Sequence, residues 1–355
     1  MKRAFLSALL LVCIAGWSAM AQIGGHYTYA FLNLTNSARV ASLGGKSVSI
    51  YGDDLNMPFH NPSLLNSSMN QHIVMNYIGY FAGIKYGYVS YARDYGTKGT
   101  FAVGMHYSNY GTFTSANEAG IATGQFQASD YALNLMYSRK IDSLFSVGIN
   151  IKPLYSSLET YNSLGIAADL GVTYHNPASL FTAAFVLKNM GTQLIGYYDG
   201  AEREHMPFEI QAGVSQKLLH APFRFSLTLQ QLQKLDLTYE SSISKNNIIA
   251  DPMNGEKLGK NKYEVFGDKL MRHAILGMEF MPGENFYVNL GYNYQRRQEL
   301  KVPVSTGMVG FSWGFGIKIN KYRFSFGRAT YHLAGASNHF SLSVNLSEFY
   351  KKTQN

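Results

Sequence analysis

Hydrophobic and polar residues alternate along most of this chain, and the stretch MVGFSWGFGIKI from Met308 to Ile319 shows the pattern at its clearest. Val309, Phe311, Trp313, Phe315, Ile317 and Ile319 fall on one face; Met308, Gly310, Ser312, Gly314, Gly316 and Lys318 fall on the other. A period of two is that of an extended strand, whose successive side chains point to opposite sides of the pleat. The apolar face is bulky and aromatic, while the opposite face is small or polar. A soluble sheet packs its bulk inward. A strand held between lipid and a polar lumen needs the reverse.

Segments of this kind are predicted near 71–82, 84–93, 99–110, 125–139, 142–154, 162–174, 179–190, 208–218, 222–232, 271–281, 285–296, 306–319, 321–331 and 337–349. Their lengths suit tilted membrane strands. Outward faces are predicted at Phe101/Val103/Met105/Tyr107, Phe145/Val147/Ile149/Ile151, Phe223/Phe225/Leu227/Leu229 and Phe340/Leu342/Val344/Leu346. Opposite them stand small or polar residues such as Gly104, Asn150, Ser226 and Ser343. The segment 179–190 alternates poorly. Short turns (His175-Asn176-Pro177, His220-Ala221, Pro282-Gly283-Glu284) interleave with longer connections at 111–124, 191–207, 233–270 and 297–305. Short turns at one end and long loops at the other are the asymmetry of outer-membrane barrels, the short end being periplasmic. The expected fold is all-β: a transmembrane outer-membrane β-barrel of about 14 antiparallel strands over 71–350. A secreted β-sandwich is the soluble alternative.

The stretch 22–70 does not alternate. Gly24-Gly25, Gly44-Gly45, Asp53-Asp54 and Asn61-Pro62 punctuate it, and one short helix is predicted between Thr35 and Leu43, capped by Thr35 or Asn36. Phe31, Leu32, Val40, Leu43, Ile50, Tyr51 and Phe59 give it too much apolar content for a disordered leader. It reads as an N-terminal plug segment within the barrel.

Residues 1–21 read as a cleaved signal peptide: Lys2 and Arg3, an apolar run from Ala4 to Gly16, then Ala19-Met20-Ala21. Residues 351–355 are a C-terminal tail. The only cysteine, Cys13, lies in the signal, so no disulfide or thiolate site is expected in the mature chain. Charged residues make up 15%, against about 25% in soluble domains, while Gly (34) and Tyr (26) are abundant. No run beyond the signal is long enough for a membrane helix, and a closed barrel is the other structure that satisfies its backbone in lipid. Net charge of +8 falls to +6 once Lys2 and Arg3 are removed, and it is dispersed, which argues against nucleic-acid binding.

Little points to catalysis. There is no HExxH, no G-x-S-x-G and no phosphate-binding loop, so no metal, cofactor or catalytic residue is assigned. A wall-bound hydrolase would need a nucleophile and base that no spacing singles out. Asp169, Glu209, Arg224, Glu279, Lys318 and Arg323 fall on lumen faces and are expected to form a paired network. Arg39, if it lies on a plug, would pair with a wall carboxylate such as Asp169 or Glu279.

The plug segment HYTYAFLNLTNSARVASLGGKSVSIYGDDLNMPFHNPSLLN resembles the start of the PorQ family of type IX secretion proteins. The positions that carry the resemblance are Tyr29, Phe31, Leu32, Leu34, Ser37, Ala38, Arg39, Leu43, Gly44, Gly45, Asp53, Asp54, Asn61, Pro62, Leu64 and Leu65. A second stretch, LQQLQKLDLTY from Leu229 to Tyr239, is similar to another family motif, with Leu235 where an aromatic is expected. PorV and the FadL-like transporters share a looser version of the first. The resemblance implies a non-enzymatic scaffold in the cell outer membrane, within an attachment complex. It would anchor a PorZ-like surface protein alongside PorU and PorV, so that cargo is joined to lipopolysaccharide. The alternative is a FadL-like channel for hydrophobic small molecules. The candidate partner-binding loop runs from Lys234 to Lys269, where six lysines balance six acids. Its named positions are Lys234, Asp236, Tyr239, Ile248, Ile249, Val265 and Phe266.

Overall fold

The computed structural model describes residues 27–80, 83–200, 202–238, 262–300, 307–332 and 335–350. The expected signal peptide and tail, and Tyr239, Ile248 and Ile249, lie outside the described residues.

Fourteen antiparallel strands close on themselves, each paired with its sequence neighbours and β1 with β14. They are β1 (His72–Gly79), β2 (Lys85–Asp94), β3 (Thr100–Ala116), β4 (Ala122–Lys140), β5 (Phe145–Leu158), β6 (Tyr161–Asn176) and β7 (Phe181–Ile195). The circuit is completed by β8 (Glu209–Lys217), β9 (Phe223–Leu229), β10 (Ala274–Phe280), β11 (Phe286–Asn293), β12 (Phe311–Ile319), β13 (Tyr322–His332) and β14 (Gly335–Asn345). Closure removes the edge strands, so every ladder has a partner. Most of the expected outward positions are exposed, Phe101, Val103, Met105, Phe145, Ile151, Phe225 and Phe340 among them, whereas Val344 at the end of β14 is buried.

Three details differ from the sequence reading. The alternation of Met308–Ile319 begins only at Phe311: Val309 is buried rather than outward, and Gly310 turns the chain at φ 86°. Most of 111–124 is strand, because β3 and β4 continue as a ribbon with Phe113 stacked on Phe126 (ring centroids 5.3 Å). That ribbon is exposed on both faces for much of its length, so no alternation marks it. The loops 233–270 and 297–305 carry or adjoin helices, introduced below.

The plug fills the barrel. From Thr35 to Asn66 every residue is buried except Lys46, Tyr51, Gly52 and Asp53, which are half-buried. Helix α1 (Ala38–Ser42) is capped by Ser37, whose side chain accepts from the Val40 nitrogen, so the cap is neither Thr35 nor Asn36. Gly44 and Gly45 follow with φ of 97° and 95°, the left-handed backbone that stops a helix at little cost in glycine. α1 packs on β11 to β14, while the single turn Pro62–Leu64 packs on β4 to β6 across the lumen. Three apolar clusters sit between plug and wall: Leu55, Phe59, Leu65 and Met69 with Val74 and Tyr88; Tyr29, Phe31 and Leu32 with Leu154 and Met206; and Val48 with Ala184 and Val186.

The small inward residues now have a reason. A Cβ on Gly148 would run into the Pro62 carbonyl, one on Gly171 into the Asn61 side chain, and one on Gly327 into the Ala38 backbone. The inner face is a socket cut to the plug, which gives the expected plug segment its seat.

Candidate functional site: the pinned plug and the long-loop face

Arg39 is the centre of the plug–wall contact. Its Nε donates to Glu279 Oε1 at 2.8 Å and its Nη2 to Oε2 at 3.2 Å, a two-pronged pairing. Its Nη1 reaches Asp54 Oδ2 at 3.4 Å, and the guanidinium lies 5.1 Å from the Tyr287 ring centroid. Arg224 on β9 donates to the second Glu279 oxygen at 2.8 Å. Glu279 is thus shared by one plug arginine and one wall arginine. Burial alone would push the Arg39 pKa down; the charges of Glu279 and Asp54 outweigh it and hold the pKa above its ordinary value. Asp169, the other carboxylate considered for Arg39, pairs instead with Lys152 at 2.6 Å.

Asp53 and Asp54 divide their work. Asp53 takes Arg323 in two hydrogen bonds of 3.1 and 2.9 Å at the rim. Burial raises the Asp53 pKa, but the Arg323 hydrogen bond and charge prevail and hold it at about 2. Asp54 accepts from the Asn56 backbone and amide, both at 3.0 Å, so it caps the next turn as well as facing Arg39. Asn61 is more than a turn residue: its amide donates to the Val48 carbonyl at 2.7 Å and to Thr173 Oγ1 on β6 at 3.0 Å. Pro62 follows Asn61 as the first residue of the 3-10 turn packed on β5. The Ala38 and Gly44 nitrogens donate to Ser341 and Ser312 on the wall, at 3.0 and 2.9 Å. Gly45 N closes the helix on the Val40 carbonyl at 3.0 Å. Of these positions, Ser37, Gly45 and Asp54 bond within the plug, whereas Ala38, Arg39, Gly44, Asp53, Asn61 and Pro62 meet the wall.

Sequence reading missed part of the network. Lys46 pairs with Glu209 at 2.6 Å. On β7, Lys188 and Asn189 both point inward, because Asn189 adopts φ 56° and the ladder with β6 shifts there. This bulge is why 179–190 alternates poorly. It lets the Asn189 backbone nitrogen donate to Asp169 at 2.8 Å while its side-chain Oδ1 accepts from Lys152 at 2.9 Å. Lys188 lies buried with its ammonium 5.4 Å from the Phe59 ring centroid. His60, buried among these groups, has its pKa well below the usual range, through burial first and the charges of Lys188 and Lys152 next. Among the described residues no three His, Cys, Asp or Glu side chains form a metal-binding group.

At the long-loop end, helix α2 (Lys262–His273) leads into β10 and helix α3 (Tyr294–Leu300) follows β11. They lean together through Tyr294 Oη to Asp268 at 2.8 Å, with Arg272 on the same carboxylate at 2.9 Å. Of the expected loop residues, Asp236 pairs with Lys269 at 2.6 Å and Lys234 lies over the Tyr27 ring. Val265 is half-buried, whereas Phe266 is 69% exposed. Tyr263 (87%) and Leu270 (57%) extend the exposed apolar stripe along α2, and Leu235 is 90% exposed.

The sequence matches no known family profile and no curated protein. Among solved structures it is similar to the toluene transporter TbuX of Ralstonia pickettii, with a TM-score of 0.50 and 11% identity over 88% of this chain and 98% of that one. The toluene transporter TodX of Pseudomonas putida gives a TM-score of 0.50 and 11% identity over 87% and 96%. A FadL homologue of Pseudomonas aeruginosa gives 0.47 and 10% over 88% and 98%. At such identities the likeness speaks to fold. The fold shared with the two toluene transporters is a closed β-barrel, here of 14 antiparallel strands with an N-terminal segment inside.

Proposed function

We propose that this chain is a non-enzymatic outer-membrane scaffold whose lumen is held shut by the plug and whose long-loop end holds a surface protein. The observation that carries the reading is the packing of the plug. Thr35 to Asn66 is buried almost throughout and is tied to the wall by charge pairs with β8, β10 and β13. A lumen spent on internal packing leaves the loops as the working surface. The stripe Tyr263, Phe266 and Leu270 on α2, with Leu235 beside it in the loop, offers apolar anchors of the kind that dominate protein contacts. The PorQ-like motif supplies the partner: a PorZ-like surface protein, with PorU and PorV nearby and lipopolysaccharide around the barrel. That part rests on the motif residues alone.

The second reading is a FadL-like channel for hydrophobic small molecules. The fold favours it: the similar solved barrels are toluene transporters, and they lend this reading more support than they lend a scaffold in type IX secretion. A channel here requires the plug to give way.

One preparation tests both. The barrel is affinity-purified from solubilised outer membrane, then reconstituted into liposomes for uptake of labelled toluene and oleate. A scaffold brings down a lipopolysaccharide-recognising surface protein and gives uptake equal to empty liposomes. Uptake through the intact barrel without a co-purifying surface protein overturns the scaffold and establishes the channel.

A further inference from the structure

At the short-turn end the plug and the wall enclose a cavity of about 300 Å³. Five cations line it: Arg39 from the plug, Lys217 at the end of β8, Arg224 on β9, Lys318 on β12 and Arg323 on β13. Their donors are not equally occupied. Arg39 spends all three nitrogens on Glu279 and Asp54, and Arg323 spends both terminal nitrogens on Asp53. Arg224 spends only Nη1, on Glu279. Lys217 and Lys318 have no side-chain partner among the described residues.

The carboxylates nearby are already committed. Asp53 belongs to Arg323, Asp54 to Arg39, and Glu279 to Arg39 and Arg224 together. Glu284 also lines the cavity, but from the exposed β10–β11 turn and without an ion pair among the described residues. Two ammonium groups and the unused edge of a guanidinium therefore share one cavity with no anion assigned to them. A concave site of this size, with convergent donors and low-dielectric walls, concentrates negative charge. Its rim includes Met281 and Phe286, and Phe286 is 40% exposed on the lipid-facing side of β11.

We infer that this cavity binds a phosphoryl group, presented by a phospholipid headgroup of the periplasmic leaflet or by a free phosphate. A tetrahedral, multiply charged anion can accept from the Arg224 edge and from both lysines at once, which a single carboxylate does less well. The apolar rim beside Phe286 gives an acyl chain its path back to the bilayer. The bound anion also lies over the Arg39–Glu279–Arg224 knot, so ligand binding and plug retention are linked. The inference stands whether the barrel is a scaffold or a channel.

The test uses the full-length barrel in a non-ionic detergent at low ionic strength. Native mass spectrometry follows retention of dioleoylphosphatidylglycerol against dioleoylglycerol, which lacks the phosphate. The temperature of the heat-modifiable transition follows titration with inorganic phosphate. Lys217→Gln/Lys318→Gln is the test variant, and Lys140→Gln, on an exposed lysine at the end of β4, is the control. The expected result is retention of the phosphatidyl lipid by the wild type and the control, and roughly tenfold weaker binding by the double variant. Stabilisation by inorganic phosphate as well marks a general phosphoryl site; lipid retention alone marks a headgroup site. Equal binding by wild type and double variant, or no preference for the phosphatidyl lipid together with no phosphate effect, overturns the inference.

Discussion

Glu279 takes two arginines at once, one from the plug and one from the wall, with its side chain 1% exposed. Such a carboxylate holds the two cations together, and without it they repel. Glu279→Gln leaves Arg39 and Arg224 facing one another in a site with little water. Removing one partner of a buried ionic group costs about 3–5 kcal/mol. The heat-modifiable transition of Glu279→Gln is therefore expected well below that of the wild type, with the plug open to protease. Asp53→Asn is the contrast. Asp53 is 43% exposed in its pair with Arg323, and solvent screens such a pair to about 0–1 kcal/mol. Equal effects from the two substitutions would mean that the knot is not at Glu279.

At the scale of the element, a strand here answers to two different constraints. Leu342 faces the bilayer between Met75 and Phe324, so Leu342→Arg puts a charge in lipid at about 2–4 kcal/mol and is expected to lower the yield of assembled barrel. Gly148 faces inward, where any side chain meets the Pro62 backbone. Gly148→Leu is expected to give an assembled barrel with a displaced plug, seen as normal heat-modifiable migration but rapid proteolysis of the plug. Unchanged plug protection in that variant would refute the socket. All fourteen strands were legible because lipid enforces a period of two wherever it touches the wall. The β3–β4 ribbon beyond about 110 was not, since it is exposed on both faces and nothing enforces alternation there. The Lys188–Asn189 bulge showed only as a poor alternation. Arg39 was legible as a pinning residue and its partner Glu279 was one of two named, whereas Lys46 carried no pattern. The meaning of the small inward face was hidden for a simpler reason. A run of Gly and Ser looks the same whether water or a second piece of chain lies against it.

At the scale of the molecule, the plug decides what kind of barrel this is. Fourteen strands close around more space than their own inward side chains fill, since barrel width grows with strand number. Here the remainder is taken by Thr35 to Asn66, anchored by α1 against β11–β14 and by the Pro62 turn against β4–β6. Contacts on opposite walls make the segment a cross-brace as well as a stopper. The wild type is expected to be electrically silent in a planar bilayer. Deletion of residues 27–69, with residues 1–26 kept in place, is expected to yield a conducting pore through a lumen that keeps Lys152, Asp169, Arg224 and Glu279 on its wall. If the brace is needed for assembly and that barrel does not form, Glu279→Gln provides the measurement instead: the loosened plug should give brief openings that the wild type lacks. Steady conductance in the wild type equal to that of either variant would show that the plug does not seal the lumen, and the scaffold reading would lose its main support.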